Sequence, residues 1–265
     1  MSIRQLRNYV DGDWVEPGRH DWLDVENPTL GQKMDDMIRN MITSCYGCAG
    51  QRCMASSAIV GVGETMHREV AARFVDASRD VLVANPLDPT VADEAMVMGP
   101  VISAGARKFI IEMIQTGIDE GATLARDGRD LRVDGCENGP FIGPTVFTEV
   151  QPGMKIHQTE IFGPVVVILK ADSLDEAIAM INQHPYGNGA SIYTQNGHYA
   201  RRFKLDTQAG MIGVNVGIPA PVASLPFGGM RESLFADIKG QGRAVTDFFT
   251  DQKIVTERYW PEPSS

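Results

Sequence analysis

The clearest pattern of hydrophobic and polar positions lies early in the chain. Met34, Met37, Ile38, Met41, Ile42 and Cys45 recur at i, i+3, i+4, i+7, i+8 and i+11, which places one apolar face on a helix. The glycines at positions 47 to 50 predict its end, and Cys53 then falls in the turn that follows. Ala58-Ile-Val-Gly-Val62 reads as a buried strand, and Met66 to Leu82 as the next helix. Ser103 suits a helix N-cap, with the helix running through Gly117 and Ile110, Met113, Ile114 and Ile118 facing inward. Val165-Val-Val-Ile-Leu169 is apolar at every position, as expected of a central parallel strand covered on both faces.

Ser173-Leu-Asp-Glu176 is a capping box that opens a helix to about Gln183. The alternation continues through Ala190-Ser-Ile-Tyr193, a polar helix from about His198 to Leu205, and Met211-Ile-Gly-Val214. Between Asn215 and Gly229 the chain is rich in Pro and Gly, hence loop. Phe248-Phe249 and Lys253-Ile-Val-Thr-Glu-Arg258 predict a final short helix and strand. This β-α-β-α order predicts an α/β fold: a mostly parallel, doubly wound sheet with short N-terminal and C-terminal extensions.

Composition narrows the partners. The 265 residues are 43% hydrophobic and 22% charged, the balance of a soluble globular protein long enough for one α/β domain with extensions. Lys and Arg number 24 against 34 Asp and Glu, a net charge of −10. That acidity argues against nucleic acid or an anionic membrane as partner, since both attract cationic surfaces. No apolar run approaches the ~18 residues of a membrane-spanning helix. Met1-Ser-Ile-Arg-Gln-Leu-Arg7 has neither an apolar signal core nor a transit composition. Cys45, Cys48, Cys53 and Cys136 do not suggest a disulfide framework, so a reducing cytoplasm is the expected location. Cys45 and Cys48 form a C-x-x-C, which can bind metal or do redox chemistry. With no second ligand pair they read as core cysteines on a helix face, and no metal is expected.

One hexapeptide carries candidate chemistry: Gly50-Gln-Arg-Cys-Met-Ala55. Glycine lets backbone approach a ligand closely, and an adjacent cation favours the nucleophilic thiolate. Alone, a Cys beside Arg is more often a small buried hydrophobe near a surface charge. The motifs further along change that reading: Glu160-Ile-Phe-Gly-Pro164, Gly213-Val-Asn215 and Pro226-Phe-Gly-Gly229. In this order and spacing, the four motifs resemble the aldehyde dehydrogenase family. The Gln-Arg-Cys-Met-Ala wording is similar to its CoA-acylating methylmalonate-semialdehyde branch, while Pro226 to Ser233 reads more like the general family pattern. Met98-Gly-Pro-Val-Ile-Ser103, Gly143-Pro-Thr145 and Pro185-Tyr-Gly-Asn-Gly189 add support. The resemblance runs from about Met34 to Trp260 and returns at Asn8 to Trp14 and Glu26 to Pro28.

The resemblance implies an internally shortened chain, about half the length usual for the family, with a domain-sized piece absent. Residues 1–32 would be a remnant of the nucleotide-binding domain, 33–237 the catalytic domain, and 238–265 an oligomerisation extension. Cys53 resembles the nucleophile that attacks an aldehyde carbonyl; hydride then leaves to NAD, and the thioester passes to coenzyme A as co-substrate. Its backbone N–H would be one oxyanion donor, and the family's second donor, an asparagine, has no match. Arg52 matches a position that would hold a substrate carboxylate, and Phe227 an aromatic near the substrate tunnel. Glu160 and Phe162 match residues for the nicotinamide-side ribose and ring. Asn215 reads rather as an organiser of its loop through backbone hydrogen bonds. A small semialdehyde substrate and a homo-oligomer are implied, with NAD binding and activity impaired. Two alternatives stay open: an NAD-independent thiol esterase or acyl-transfer site at Cys53, and a non-catalytic association partner of full-length relatives.

Overall fold

The computed structural model describes residues 8–10, 13–15, 32–91, 94, 96–235 and 239–260, with side chains from Met34 onward. Most of the expected N-terminal segment 1–32 lies outside the described residues. Its described part is an antiparallel pair, β1 (Asn8–Val10) with β2 (Asp13–Val15).

The amphipathic run forms α1 (Gln32–Tyr46), which buries Met34, Ile38 and Cys45 as its spacing demands. β3 (Ala58–Val62) follows, then α2 (Glu64–Arg79), so the second helix ends three residues short of Leu82. Leu82 instead belongs to β4 (Leu82–Val83), which pairs with β5 (Val97–Met98). Ser103 caps α3 (Ala104–Asp119), its hydroxyl accepting from Ala106 N–H at 3.1 Å. Ile110, Met113 and Ile114 are buried and Ile118 is half-buried.

Two strands of the central sheet have no counterpart in the sequence reading, β6 (Thr123–Arg126) and β7 (Thr145–Thr148). A short α4 (Lys155–Gln158) leads to β8 (Val165–Ala171). Ser173 caps α5 (Leu174–Gln183), accepting from Glu176 N–H at 3.2 Å, while the Glu176 carboxylate accepts from Asp172 N–H at 2.6 Å. The reciprocal half of the capping box thus falls one residue earlier than expected. The chain continues through β9 (Tyr186–Gly187), β10 (Gly189–Ile192), α6 (Gly197–Asp206) and β11 (Met211–Val214). It closes with β12 (Met230–Arg231) and α7 (Gly242–Phe249).

The central sheet runs β3-β8-β7-β6, parallel except at the β6/β7 edge. β8 is buried at every position but Lys170, so both its faces are covered, as its uninterrupted apolar run requires. A second parallel pair, β10 with β11, is separate from that sheet. The core gathers Tyr46, Phe74, Met98, Ile114, Phe147 and Ile168. Tyr46 stacks on Phe74 at 5.9 Å and donates its hydroxyl to the Thr145 carbonyl at 3.4 Å.

Two expectations are corrected. Lys253–Arg258 is not a strand: residues 251–260 have no regular structure, and Ile254 is 91% exposed. Its β-branched pattern needs an edge to pair with, and among the described residues none does so. Cys48 is not a core cysteine either. Cys45 is buried but Cys48 is exposed, because the helix ends between them and the chain turns outward.

Candidate active site

The site is built where α1 stops. Cys48, Ala49 and Gly50 take left-handed φ values of 54°, 54° and 71°, a run that two non-glycine residues enter only under strain. This reversal folds Arg52 back over Gly47, where its guanidinium donates to the Thr43 carbonyl at 3.2 Å and the Ser44 carbonyl at 3.5 Å. A cation at unsatisfied carbonyls of a helix C-terminus is favourable for both hydrogen bonding and the helix dipole. Arg52 therefore closes α1, and its buried Nε–H has no partner among the described residues.

Cys53 sits in the next turn, closed by Ala55 N–H donating to the Arg52 carbonyl at 2.9 Å, and it is exposed. Asn188 reaches across from the end of β9 and donates its Nδ2 to the Cys53 carbonyl at 2.7 Å and to Met54 Sδ at 3.2 Å. Gln51 fastens the same loop on its other side. Its Nε2 donates to the Phe162 carbonyl at 3.1 Å, and its Oε1 accepts from Ile102 N–H at 2.8 Å. Below, Ser44 donates to the Gly217 carbonyl at 2.8 Å and meets the Ser56 hydroxyl at 2.8 Å. The loop carrying the nucleophile candidate is thus held from three directions, and among the described residues no hydrogen bond ties down the Cys53 side chain.

A cleft of about 1510 Å³ opens beside it, and Cys53, Arg52, Glu160, Phe162 and Phe227 all line it. All five site residues read from the sequence thus border one space. Glu160 is exposed, and Phe162, at φ +53°, is 43% exposed. Phe227 is half-buried and bridges Gly240, donating its N–H at 2.7 Å. Asn215 does organise its loop: its side chain exchanges two hydrogen bonds with Thr194 backbone, at 2.8 and 2.9 Å. The sequence reading missed the clamps Asn188 and Gln51. Both stood inside motifs already quoted, but nothing local tells which distant carbonyl each one finds.

Burial pushes the Cys45 thiol well above its usual range, so that side chain is an inert core group. His157, which also lines the cleft, is held below the usual histidine value chiefly by burial, with the neighbouring His184 adding to the effect. Among the described residues, no three His, Cys, Asp or Glu side chains gather as a metal site, and no helix is long and apolar enough to cross a membrane.

On this α/β frame, residues of the four sequence motifs, with exposed Cys53 just after the left-handed turn and Glu160, Phe162 and Phe227, line one cleft. The chain belongs to the aldehyde dehydrogenase family, whose sequence model matches residues 31–255. It is 40% identical over 226 residues to malonate-semialdehyde dehydrogenase 1 of Geobacillus kaustophilus, covering 85% of this chain and 45% of that protein. It is 43% identical over 232 residues to the mitochondrial acylating methylmalonate-semialdehyde dehydrogenase of Arabidopsis thaliana, covering 88% of this chain and 37% of the relative. A Sinorhizobium meliloti protein assigned as a methylmalonate-semialdehyde dehydrogenase and solved with NAD superposes with a TM-score of 0.81 at 38% identity. That match covers 87% of this chain and 46% of the other. The chain spans less than half the length of the relatives it matches.

Proposed function

We propose that this chain carries the nucleophile half of a CoA-acylating, NAD-dependent oxidation of malonate or methylmalonate semialdehyde. The observation that carries the reading is the exposed Cys53 thiol on a clamped turn, facing a cleft shared with Glu160 and Phe162. Cys53 would add as thiolate to the aldehyde carbonyl, and its own N–H would donate to the oxygen that becomes negative. Asn188 and Gln51 hold the backbone so that this N–H and the thiol keep one orientation. Arg52 would bind the substrate carboxylate by exchanging α1 carbonyls for it, a task suited to a planar guanidinium. Phe227 would pack against the substrate's carbon chain.

For NAD, the fit is one-sided. Glu160 and Phe162, both exposed to the cleft, would hold the nicotinamide ribose and ring, and NAD when bound supplies the hydride acceptor. The passage from β3 through Gly63 into α2 does not suit the pyrophosphate, because Glu64 places a carboxylate at that helix start, paired with Lys170 at 2.8 Å. Remote binding energy of this kind sustains rate as well as affinity. The proposed domains follow the same division: 33–237 catalytic, 1–32 belonging to the nucleotide side, and 238–265 an association segment.

The test is absorbance at 340 nm with the purified chain, methylmalonate semialdehyde, NAD and coenzyme A, with Cys53→Ala as blank. The expected result is little or no NADH from the chain alone. Turnover like that of an intact relative would refute the one-sided fit. Release of p-nitrophenol from its acetate ester reports the thiol separately. Release abolished by Cys53→Ala supports the nucleophile, and release unchanged by it removes Cys53 from the mechanism.

A further inference from the structure

We infer that Gln51 is a positioning residue for Phe162: a side chain two residues before the candidate nucleophile sets the place of the ring on the cofactor side. The role rests on the proposed reading of Cys53 as nucleophile and Phe162 as the nicotinamide-side ring. Phe162 has φ +53°, a conformation that a residue with a Cβ keeps only where its surroundings over-determine it. The residues beside it are already fixed. Ile161 is buried, the Gly163 carbonyl accepts from Val165 N–H at 2.8 Å, and the Pro164 carbonyl accepts from Thr145 N–H at 2.8 Å. The Phe162 ring lines the cleft and is part-exposed, which leaves its backbone to set where it points. That backbone is held at its carbonyl, which accepts from Gln51 Nε2 at 3.1 Å.

Gln51 can do this because the other end of its amide is engaged. Oε1 accepts from Ile102 N–H at 2.8 Å, so the oxygen faces that N–H and the NH2 group faces the Phe162 carbonyl. The Ile102 end is itself anchored, since Val101 is buried and donates its N–H to the Pro140 carbonyl at 3.1 Å. Gly50 closes on the same turn, lacking a Cβ that would stand 2.7 Å from the Gly163 carbonyl carbon. Gly50 therefore permits the close approach, and Gln51 supplies the bond. A neutral amide offers donor and acceptor together, whereas an ionised Glu offers acceptors only. Hydride transfer needs its reacting atoms held about 3–3.5 Å apart. A ring placed from the loop that carries the thiol moves with the thiol rather than independently of it.

The test places 4-fluorophenylalanine at position 162 of the full chain and reads its fluorine resonance by NMR, with no cofactor present. Gln51→Met keeps the length of the side chain and removes both hydrogen bonds. Losing the bond to the Phe162 carbonyl shifts the local equilibrium there by roughly 2–10-fold, so the resonance moves or splits, with circular dichroism confirming the fold. Gln51→Glu keeps the acceptor for Ile102 N–H and sets a carboxylate oxygen against the Phe162 carbonyl. Its resonance is displaced from the parent's at pH 7, and the displacement shrinks toward pH 5 as the carboxyl gains a proton that it can donate. His157 and Glu160 titrate in both chains, so each comparison is made with the parent at the same pH. Asn188→Leu loosens the Cys53 turn from its other side and leaves the resonance in place. Three results would overturn the role: a resonance unmoved in both Gln51 variants, a Gln51→Glu displacement that acid does not reduce, or an equal displacement in Asn188→Leu, which would mark a general loosening. If Gln51→Met does not fold, the acid reversal in Gln51→Glu decides alone. Because cofactor is absent throughout, failure of the NAD reading would leave these results unchanged, and NADH formation tests that reading separately.

Discussion

Gly50 is where the site leaves least room for change. Its φ is +71°, and a Cβ there would run into the Gly163 carbonyl oxygen, with the carbonyl carbon 2.7 Å away. Both obstacles are backbone and cannot rotate aside. Gly50→Ala therefore carries two penalties: a left-handed conformation for a residue with a Cβ, about 1–2 kcal/mol, and overpacking, about 1–3 kcal/mol. The sum, about 2–5 kcal/mol, is a large share of the roughly 5–15 kcal/mol that holds a domain folded. Gly63 provides the comparison, at φ +81° with nothing within 4 Å of its Cβ position. Gly63→Ala carries only a backbone penalty, about 1–3 kcal/mol, since φ +81° with ψ 151° is a region essentially confined to glycine. Urea unfolding measures both: the midpoints fall with unchanged slope, further for Gly50→Ala. Iodoacetamide labelling of Cys53 changes in Gly50→Ala alone, because there the Cys53 turn must part from the Glu160–Pro164 turn. Equal midpoints for the two variants would refute the reasoning, showing that the two loops yield without cost.

Cys53 reacts first with iodoacetamide near neutral pH, Cys48 is its exposed competitor, and Cys45 reacts last; peptide mapping that finds Cys45, Cys48 or Cys136 labelled before Cys53 refutes this order. Asn188→Leu removes the hydrogen bond to the Cys53 carbonyl, lowering stability by about 0.5–1.5 kcal/mol and altering the Cys53 labelling rate, both measurable in one preparation. His157 is held below its usual 6.5 by burial, so the unfolded chain takes up the proton first. Its contribution to stability is present above about 6.5 and is lost as pH falls through the lower folded value. His157→Gln flattens the urea midpoint between pH 7 and 5 relative to the parent. Phe248, Phe249, Ile254, Val255 and Trp260 are all more than half exposed, a concentration of apolar surface that proteins rarely leave uncovered. Light scattering at tens of micromolar is expected to find dimers or larger species, and a clean monomer would refute it.

What the sequence made legible is what is decided locally. The spacing of Met34 to Cys45 and the hydroxyls of Ser103 and Ser173 each fix a helix face or a helix start within one turn of chain. β6 and β7 escaped because Thr123-Leu-Ala-Arg126 and Thr145-Val-Phe-Thr148 are short and only partly apolar, and their place is set by neighbouring strands. Lys253–Arg258 failed in the opposite sense, with strand propensity but no edge to pair with among the described residues. The site divides in the same way. Gly50 announced a turn before Cys53, yet the groups that hold the turn come from far along the chain. Phe162 is 111 residues from Gln51, Asn188 is 135 from Cys53, and Gly217 is 173 from Ser44. No window around the cysteine contains them. All of these clamps lie within this chain, which spans under half the length of the relatives it matches. The setting of the Cys53 turn is therefore a property of this part of the fold alone.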